Sequence, residues 1–395
     1  MKKIFLFFLI FINLFVFSVR AKESEDDLGL AKNSESAIIM EQSTGKILFE
    51  KNAYEKRAMA SMTKVMTMLL IMENLENGNI KLTDEVTISK RAAGMGGSQI
   101  FIEEGEIVSV EDLLKGIAVA SANDASVALA EYIGGTEENF VKMMNDKAKK
   151  LGLKNTCYKN SHGLDEEGHY TTAYDMAIVS KELLNHKDIL KYSSLYEDYL
   201  TRKNGSKFWL VNTNKLVKFY KGVDGLKTGY TGSAGHCLTA TMEKNGMRVI
   251  TVVMKSGSTE NRSSDTVTLL DYAFSMFYSK VILNENEVLG KVNISKGVKN
   301  TVDYVLKVPV KAILGKHDDK MSYSYEINLK EDLEAPINIG DKVGNIVLYD
   351  ENKKIVSEYD LYSNENVKKA GFFITYINNL KNITSGKILR KNIGV

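Results

Sequence analysis

The stretch ASMTKVMTMLLIMENLENG, residues 60–78, combines a helical apolar pattern with a serine and a lysine near its start. Its apolar side chains recur at steps of three and four residues: Val65, Leu69, Met72 and Leu75. This is the period of a helix that packs on one face, and Gly78 is a typical helix end. The pattern predicts a helix that begins just after Ala60, so Ser61 should lie at its N-terminus.

Two hairpin patterns flank this helix along the chain. Residues 37–49, AIIMEQSTGKILF, hold two β-rich runs around a Ser43-Thr44-Gly45 turn. Residues 236–254 hold two more, joined by Asn245-Gly246, the strongest short hairpin signal. The sequence therefore predicts antiparallel strands near both ends of one domain.

Further helices are predicted between and after the hairpins. Ser109 with Asp112 three residues later indicates a helix start, and that helix should break near Ser121. Two more helical patterns follow, over 124–133 and 264–277. Beyond about residue 284 the chain turns to short β-type runs with turns, and both of its prolines fall there. We expect a larger domain of helices and strands over 30–280 and a small β-rich domain over 284–366.

The two ends of the chain carry targeting patterns. Lys2 and Lys3 precede an apolar run and a small-residue cleavage site at Ala21, so residues 1–21 are interpreted as a secretory signal peptide. A permanent membrane anchor is the alternative, but the run is short for a bilayer. Residues 367–395 show an apolar helical face surrounded by lysines, which predicts an amphipathic helix at a membrane surface. A docking helix or a frayed end is the alternative there.

Overall composition excludes some functions. The chain has 395 residues, and 52 basic residues against 50 acidic ones leave a net charge of +2, so nothing favours nucleic acid binding. Export would permit disulfides, but two cysteines do not make a disulfide framework. Buried free thiols are the expectation for Cys157 and Cys237, with one bridge as the alternative.

Ser61-Met62-Thr63-Lys64 is the first candidate for chemistry. A spacing of three on a helix puts the serine hydroxyl and the lysine amine on one face. The lysine can take the serine proton only when neutral, which requires burial or a neighbouring cation. The same spacing occurs at Ser43 and Lys46 within a predicted turn, so the motif alone is weak evidence.

Two further motifs strengthen the first. Ser121-Ala122-Asn123 lies at a predicted helix break, where a hydroxyl can relay a proton and a carboxamide can orient a substrate. Lys227-Thr228-Gly229 leads into the second hairpin, where a cation and a hydroxyl can hold an anionic substrate end and a glycine admits a close backbone. Lys227 would also lower the pKa of Lys64.

The order and gaps of the three motifs match the signature of penicillin-recognising serine enzymes. From Ala37 to the C-terminus the chain resembles the D-alanyl-D-alanine carboxypeptidases among the low-molecular-mass penicillin-binding proteins. The matching stretches are KRAMASMTK, AVASANDASVALAEYIGG, NSHGLDEEGHYTTAYDMA, GVDGLKTGYTGSAGHCLTAT and GMRVITVVM. The resemblance implies a β-lactamase/transpeptidase-like three-layer α/β domain, with an antiparallel sheet between helices.

The resemblance also implies roles for individual residues. Ser61 would be the nucleophile, Lys64 its base and Ser121 the proton relay, with Asn123 donating to the substrate amide. The backbone amides of Ser61 and Tyr230 would form the oxyanion hole. Lys227, Thr228 and Gly229 would complete the cleft, and Arg262 would hold the substrate carboxylate.

The same resemblance implies substrate, inhibitor and location. Peptidoglycan stem peptides ending in D-Ala-D-Ala would be hydrolysed, β-lactams would inhibit covalently, and no metal or organic cofactor is implied. The enzyme would act outside the cell, at the outer face of the cytoplasmic membrane. Met59 stands where many relatives have proline, and Tyr230 where some have histidine.

Three other functions fit the sequence less well. A Ser-His-Asp hydrolase would be expected to have a GxSxG nucleophile elbow, and this chain has none. A metal site is not indicated either, because neither His162 nor His169 fits a metal-ligand spacing. A β-lactamase would use an acid such as Glu166 or Glu167 against the acyl-enzyme, but the surrounding loop resembles the carboxypeptidases. A non-enzymatic scaffold would be expected to have lost at least one motif residue.

Overall fold

The computed structural model describes residues 28–202, 205–316, 323–350 and 352–372. Its main sheet has five antiparallel strands in the order β2-β1-β9-β8-β7. Their bounds are β1 Ser36–Glu41, β2 Ile47–Lys51, β7 Val223–Thr231, β8 Gly235–Lys244 and β9 Met247–Ser256. Strand β7 stands at an edge, so one side of it is open to pair with another extended chain.

Both faces of this sheet are covered by helices. Alternate residues of β1 show this directly, because Ile38 packs into one hydrophobic core and Ile39 into the other. The larger core lies against the helix Lys64–Glu76, and the smaller one against the last helix of the domain. A strand buried on both faces needs apolar side chains at nearly every position, which explains the run from Val249 to Met254, where Thr251 is the single polar residue.

The helices of this region vary from one turn to five. Their bounds are α1 Lys64–Glu76, α2 Lys90–Ala93, α3 Val110–Ala120, α4 Asn123–Gly134, α5 Glu137–Lys150, α6 Ala173–Leu183, α7 Leu190–Ser193, α8 Leu216–Phe219 and α9 Thr259–Met276. Short strands β3 Glu85–Thr87 and β4 Ile107–Ser109 pair with each other, as do β5 Glu197–Thr201 and β6 Lys207–Val211.

The C-terminal part is built from strands. Strands β10 Phe277–Leu283 and β13 Val310–Gly315 form one pair. A second sheet has the order β11-β12-β16-β15-β14, with bounds β11 Gly290–Asn293, β12 Thr301–Leu306, β14 Ser324–Leu329, β15 Lys342–Tyr349 and β16 Ile355–Ser363. It has a core of its own, which includes Val302, Ile346 and Leu361. The predicted β-rich texture is confirmed.

Most local predictions are confirmed, with differences at element ends. Both hairpins form as predicted, and the Ser109 hydroxyl caps α3 by accepting from the backbone N–H of Asp112 at 3.1 Å. Helix α9 begins five residues before the predicted 264, because the Ser258 hydroxyl caps it by accepting from Asn261 N at 3.1 Å. The β5–β6 hairpin was not predicted.

The two chain ends fall largely outside the described residues. The predicted signal peptide, residues 1–21, lies outside them, and so does the predicted tail beyond residue 372. Val367, where that tail was predicted to begin, is buried and bonded to Ile337 in the β-rich part. None of the described helices combines enough length with enough apolar character to cross a bilayer.

Candidate active site

Ser61 lies on a single 3-10 turn, Ala60–Thr63, that leads directly into α1. The turn begins at Ala60 with φ of +46°, a left-handed conformation that costs energy in any residue with a side chain. Ser61 is partly exposed, whereas Ala60, Met62 and Thr63 are buried. A strained backbone conformation at Ala60 therefore accompanies the exposure of the Ser61 hydroxyl at the start of a buried helix.

Lys64 is completely buried, and its amine lies at the centre of a small hydrogen-bonded cluster. Its Nζ is 3.0 Å from Ser61 Oγ, 2.6 Å from Asn123 Oδ1 and 2.6 Å from the carbonyl oxygen of His162. The last two atoms can only accept hydrogen bonds. A neutral amine has two hydrogens, which these acceptors take, so its lone pair is left for the Ser61 hydroxyl proton.

The surroundings of Lys64 favour that neutral form. Burial lowers the pKa of Lys64 well below its ordinary value, and the positive charge of Lys227 lowers it further. The buried carboxylate of Asp124 raises the pKa of Lys64, but this carboxylate also accepts hydrogen bonds from the backbone N–H groups of Ile100 and Ile102. Burial and a nearby cation are the two conditions that sequence reasoning required for a lysine base.

Ser121 and Asn123 lie at the junction of two helices. Helix α3 ends at Ser121, whose φ of +62° reverses the chain, and Asn123 opens α4. Both side chains are buried. Asn123 Nδ2 donates to the carbonyl of Gly96 at 2.7 Å, which orients Oδ1 towards Lys64. The second hydrogen on Nδ2 stays available for a substrate carbonyl.

Strand β7 carries the third motif along the opposite wall. Lys227 and Thr228 are buried, and Thr228 Oγ1 donates to Thr213 Oγ1 at 2.7 Å. A Cβ atom at Gly229 would lie 2.9 Å from the Met59 carbonyl oxygen, closer than real contacts allow. Glycine is thus required by the chain's own close packing, a second reason beside the predicted approach of substrate. Tyr230 is 61% exposed and stacks on His236 with ring centroids 4.4 Å apart.

Arg262 lies in the first turn of α9 and is almost fully buried. Among the described residues its Nε is a buried donor with no hydrogen-bond partner. Its charge, together with burial as the larger cause, lowers the pKa of Lys227 to about 7. Burying a guanidinium with an unused donor is unfavourable in free energy unless an anion pairs with it, so this group is well suited to bind an anionic ligand.

Two groups that act on Lys64 were not identified from the sequence. The carbonyl of His162 binds the amine directly, and Asp124 places a buried carboxylate nearby. No residue type marks a backbone carbonyl as a ligand, so sequence carries no signal for the first. The second was visible as an acid in an otherwise apolar helical stretch, next to Asn123.

The second serine–lysine pair has a structural role. The Ser43 hydroxyl donates to the Glu41 carboxylate at 2.9 Å within the β1–β2 turn. Lys46 Nζ donates to the carbonyl of Ile313 at 2.8 Å, on the far side of the sheet from Ser61's core. Equal spacing without a helix therefore brings the two side chains to different partners.

Changing Lys227 to methionine should move the pH dependence of acylation. Loss of the cation removes a cause that holds the pKa of Lys64 down, so that pKa rises and less neutral amine exists at a given pH. The ascending limb of the rate–pH profile should shift to higher pH, and the rate at neutral pH should fall about 100-fold. Acylation by a chromogenic β-lactam, followed from about pH 5 to pH 9, measures this.

Thr228→Val is the matched control, because it removes a neighbouring cleft hydroxyl without changing charge. It should slow acylation but leave the ascending limb in place. If the limb of Lys227→Met coincides with that of the unmodified protein, Lys227 does not set the ionisation of Lys64.

Comparison with known proteins gives consistent results along the chain. Residues 21–258 match the family described as D-alanyl-D-alanine carboxypeptidase, and residues 277–369 match the C-terminal domain of penicillin-binding protein 5. The D-alanyl-D-alanine carboxypeptidase DacF of Bacillus subtilis is 47% identical over 380 residues, which cover 95% of this chain and 97% of DacF.

Solved structures agree with the sequence comparison. Penicillin binding protein 5 from Haemophilus influenzae superposes with a TM-score of 0.67 at 31% identity, covering 85% of this chain and 98% of that one. Penicillin-Binding Protein D2 from Listeria monocytogenes, in its ampicillin-bound form, gives a TM-score of 0.56 at 32% identity, with 62% and 99% covered. The predicted three-layer α/β domain followed by a β-rich domain is confirmed, and the chain belongs to the D-alanyl-D-alanine carboxypeptidase family.

Proposed function

We propose that this protein is a serine-type carboxypeptidase that removes the terminal D-alanine from peptidoglycan stem peptides through an acyl-enzyme on Ser61. The observation that carries the proposal is the Lys64 amine, buried between two obligate acceptors and 3.0 Å from the Ser61 hydroxyl. The names of the relatives supply the substrate, since DacF and its homologues are D-alanyl-D-alanine carboxypeptidases. Ser61, Lys64 and Ser121 are the proposed catalytic residues.

Acylation begins when Ser61 Oγ attacks the carbonyl carbon of the penultimate D-alanine. Lys64 accepts the hydroxyl proton, and the carbonyl oxygen becomes an oxyanion between the backbone N–H groups of Ser61 and Tyr230. When the C–N bond breaks, the leaving amine takes a proton delivered from Lys64 by way of Ser121. D-alanine departs, and an ester joins the shortened peptide to Ser61.

Deacylation repeats the same steps with water. Lys64, neutral again, accepts a proton from a water that attacks the ester carbonyl, and Ser61 recovers its proton as the C–O bond breaks. The products are the shortened stem peptide and the free enzyme. This sequence needs one buried amine and one set of oxyanion donors, used twice.

Substrate orientation is proposed to come from β7 and the groups around it. The open edge of β7 offers backbone groups to an extended peptide. Lys227, Thr228 and Arg262 place two cations and a hydroxyl where the terminal carboxylate would lie, and the unused Arg262 donor supports that assignment. Asn123 would orient the substrate amide with its remaining hydrogen.

The enzyme is proposed to act outside the cell, because its proposed substrate, the stem peptide of peptidoglycan, belongs to the cell wall. Residues 1–21 would direct export, and residues 367–395 would attach the protein to the outer face of the cytoplasmic membrane. The catalytic domain is proposed to span 30–280 and the β-rich domain 284–366. Such a location holds both the substrate and the β-lactams that the enzyme would meet.

Mass spectrometry of the intact protein after benzylpenicillin tests the proposal. We expect a gain of one intact penicillin, located by peptide mapping to the fragment that holds Ser61, because a β-lactam presents a strained amide to the same nucleophile. The adduct should persist for minutes or longer. Rapid loss of the adduct with release of opened antibiotic would indicate a β-lactamase, and an adduct elsewhere would contradict the assignment of Ser61.

A further inference from the structure

A buried chain of hydrogen bonds links His169 to the peptide that precedes Ser61. His169 Nε2 lies 2.7 Å from Thr63 Oγ1, and Thr63 Oγ1 donates to the carbonyl oxygen of Ala60 at 2.8 Å. On the other side of the ring, Nδ1 accepts from the backbone N–H of Lys159 at 3.0 Å. His169 and Thr63 are both buried, so water does not compete for these bonds.

The direction of this chain is fixed by the protonation of the imidazole. Because Nδ1 accepts a backbone N–H, the hydrogen of the neutral ring lies on Nε2 and is donated to Thr63 Oγ1. The threonine hydroxyl then has its own hydrogen left for Ala60. Burial lowers the pKa of His169 to about 4, although the carboxylates of Glu166 and Asp165 oppose it. The neutral ring is therefore the form present at neutral pH.

The carbonyl at the end of the chain is also constrained from a second direction. A Cβ atom at Gly163 would lie 2.0 Å from Ala60 O, so the Gly163 backbone packs directly on this carbonyl. Ala60 itself has a φ of +46°, which it would not keep without such contacts. The Ala60–Ser61 peptide is held by Thr63 on one side and by Gly163 on another.

Holding the Ala60 carbonyl also aims the next backbone N–H. A peptide unit is planar and trans, so the C=O of Ala60 and the N–H of Ser61 point in opposite directions from one rigid plane. A rotation that displaces the carbonyl turns the N–H by the same angle. Oxyanion stabilisation depends on this angle, because the donor must meet the position that the charge will occupy.

We propose that His169 is a positioning residue that acts through Thr63 to orient the Ala60–Ser61 peptide and thereby aims the Ser61 N–H at the oxyanion. The inference rests on the proposed function, because it takes that N–H to be an oxyanion donor. Since the oxyanion exists only during reaction, weakening the chain should lower kcat and leave KM nearly unchanged.

Thr63→Val and His169→Phe are the two variants that test the chain, alone and combined. Each keeps the buried volume and removes one link, and Thr63→Ser restores the hydroxyl without the methyl group. Tyr158→Phe is the matched control, since Tyr158 is fully buried near His169, with ring centroids 6.1 Å apart, and its hydroxyl has no partner among the described residues. Rates on a D-Ala-D-Ala peptide are expressed per mole of protein that benzylpenicillin labels, so misfolded molecules do not count.

We expect kcat to fall about 10-fold or more for Thr63→Val and for His169→Phe, with KM within about twofold. The double variant should be no slower than the worse single one, because both break the same chain. Thr63→Ser and Tyr158→Phe should stay within about threefold of the unmodified protein.

Unchanged kcat in both single variants would overturn the proposal, as would a loss confined to KM or losses that multiply in the double variant. If His169→Phe does not fold, the Thr63→Val and Thr63→Ser pair decides the question by the same criteria. Failure of the unmodified protein to be labelled at Ser61 would instead refute the proposed function, so the two failures are distinguishable.

Discussion

Replacement of Ser61 by alanine should abolish both penicillin labelling and peptide hydrolysis, with a loss in kcat on the order of 10⁴-fold or more. The mechanism requires a covalent bond to Ser61 Oγ, and the alanine variant has no atom that can form it. The fold should be unaffected, because Ser61 is partly exposed and its hydroxyl contacts the Lys64 amine without filling a core position. Intact mass after benzylpenicillin, together with release of D-alanine from a pentapeptide, measures the effect.

Ser43→Ala is the natural control for this experiment. Ser43 has the same spacing to a lysine, but its hydroxyl bonds Glu41 in the β1–β2 turn. Labelling and hydrolysis should therefore match the unmodified protein. Residual hydrolysis by Ser61→Ala at a rate comparable with Ser43→Ala would mean that the nucleophile is elsewhere.

Replacement of Lys64 by methionine should slow acylation by about 1000-fold or more while Ser61 is still present. Methionine has a similar length and suits a buried site, so the packing around α1 should be kept. What is lost is the base that takes the hydroxyl proton. Because the neutral amine is the active form, the remaining slow reaction should also lose the ascending limb of its pH profile, which reflects the lowered pKa of Lys64.

Thermal unfolding separates this loss from damage to the fold. The carbonyls of Asn123 and His162 would lose their donor in Lys64→Met, so a modest decrease in Tm is expected. Lys46→Met, which removes a lysine of the second pair, should acylate normally. An acylation rate for Lys64→Met within about tenfold of the unmodified protein would show that another group serves as the base.

Helices and strands whose signals lie in a few neighbouring residues could be predicted from the sequence. Helix α1 follows from its apolar period, the start of α3 from the Ser109 cap, and the β8–β9 hairpin from Asn245-Gly246. Element ends were less certain, as at α9, where the Ser258 cap lies before the periodic residues. The β5–β6 hairpin was missed although the sequence between its strands holds Asn204-Gly205, the same turn signal as Asn245-Gly246. Its strands carry exposed aromatic side chains at Tyr199 and Trp209, which blur the alternation of apolar and polar residues.

The candidate site likewise has residues that the sequence predicts and contacts that only the structure reveals. Three short motifs identified seven of the nine candidate residues, because hydroxyl, amine and carboxamide groups are visible in a sequence, and the family resemblance added Tyr230 and Arg262. The His162 carbonyl and the Gly163 contact with Ala60 were not visible, since any residue has a carbonyl and any glycine can pack closely. The spacing of His162 and His169 matches no metal site and indicates no other role, yet both side chains are buried beside the Ser61 turn.

The chemical groups of this protein, and the helices and strands that carry them, follow from its amino-acid sequence, because periodicity, caps and turns act over a few neighbouring residues. The ionisation of Lys64 and the direction of the Ser61 peptide follow from the three-dimensional fold instead. Both depend on segments distant in the chain, with β7 supplying the cation and the loop of His162, Gly163 and His169 enclosing the turn. Burial and Coulomb interaction are set by distances in space, and separation along the chain does not specify them.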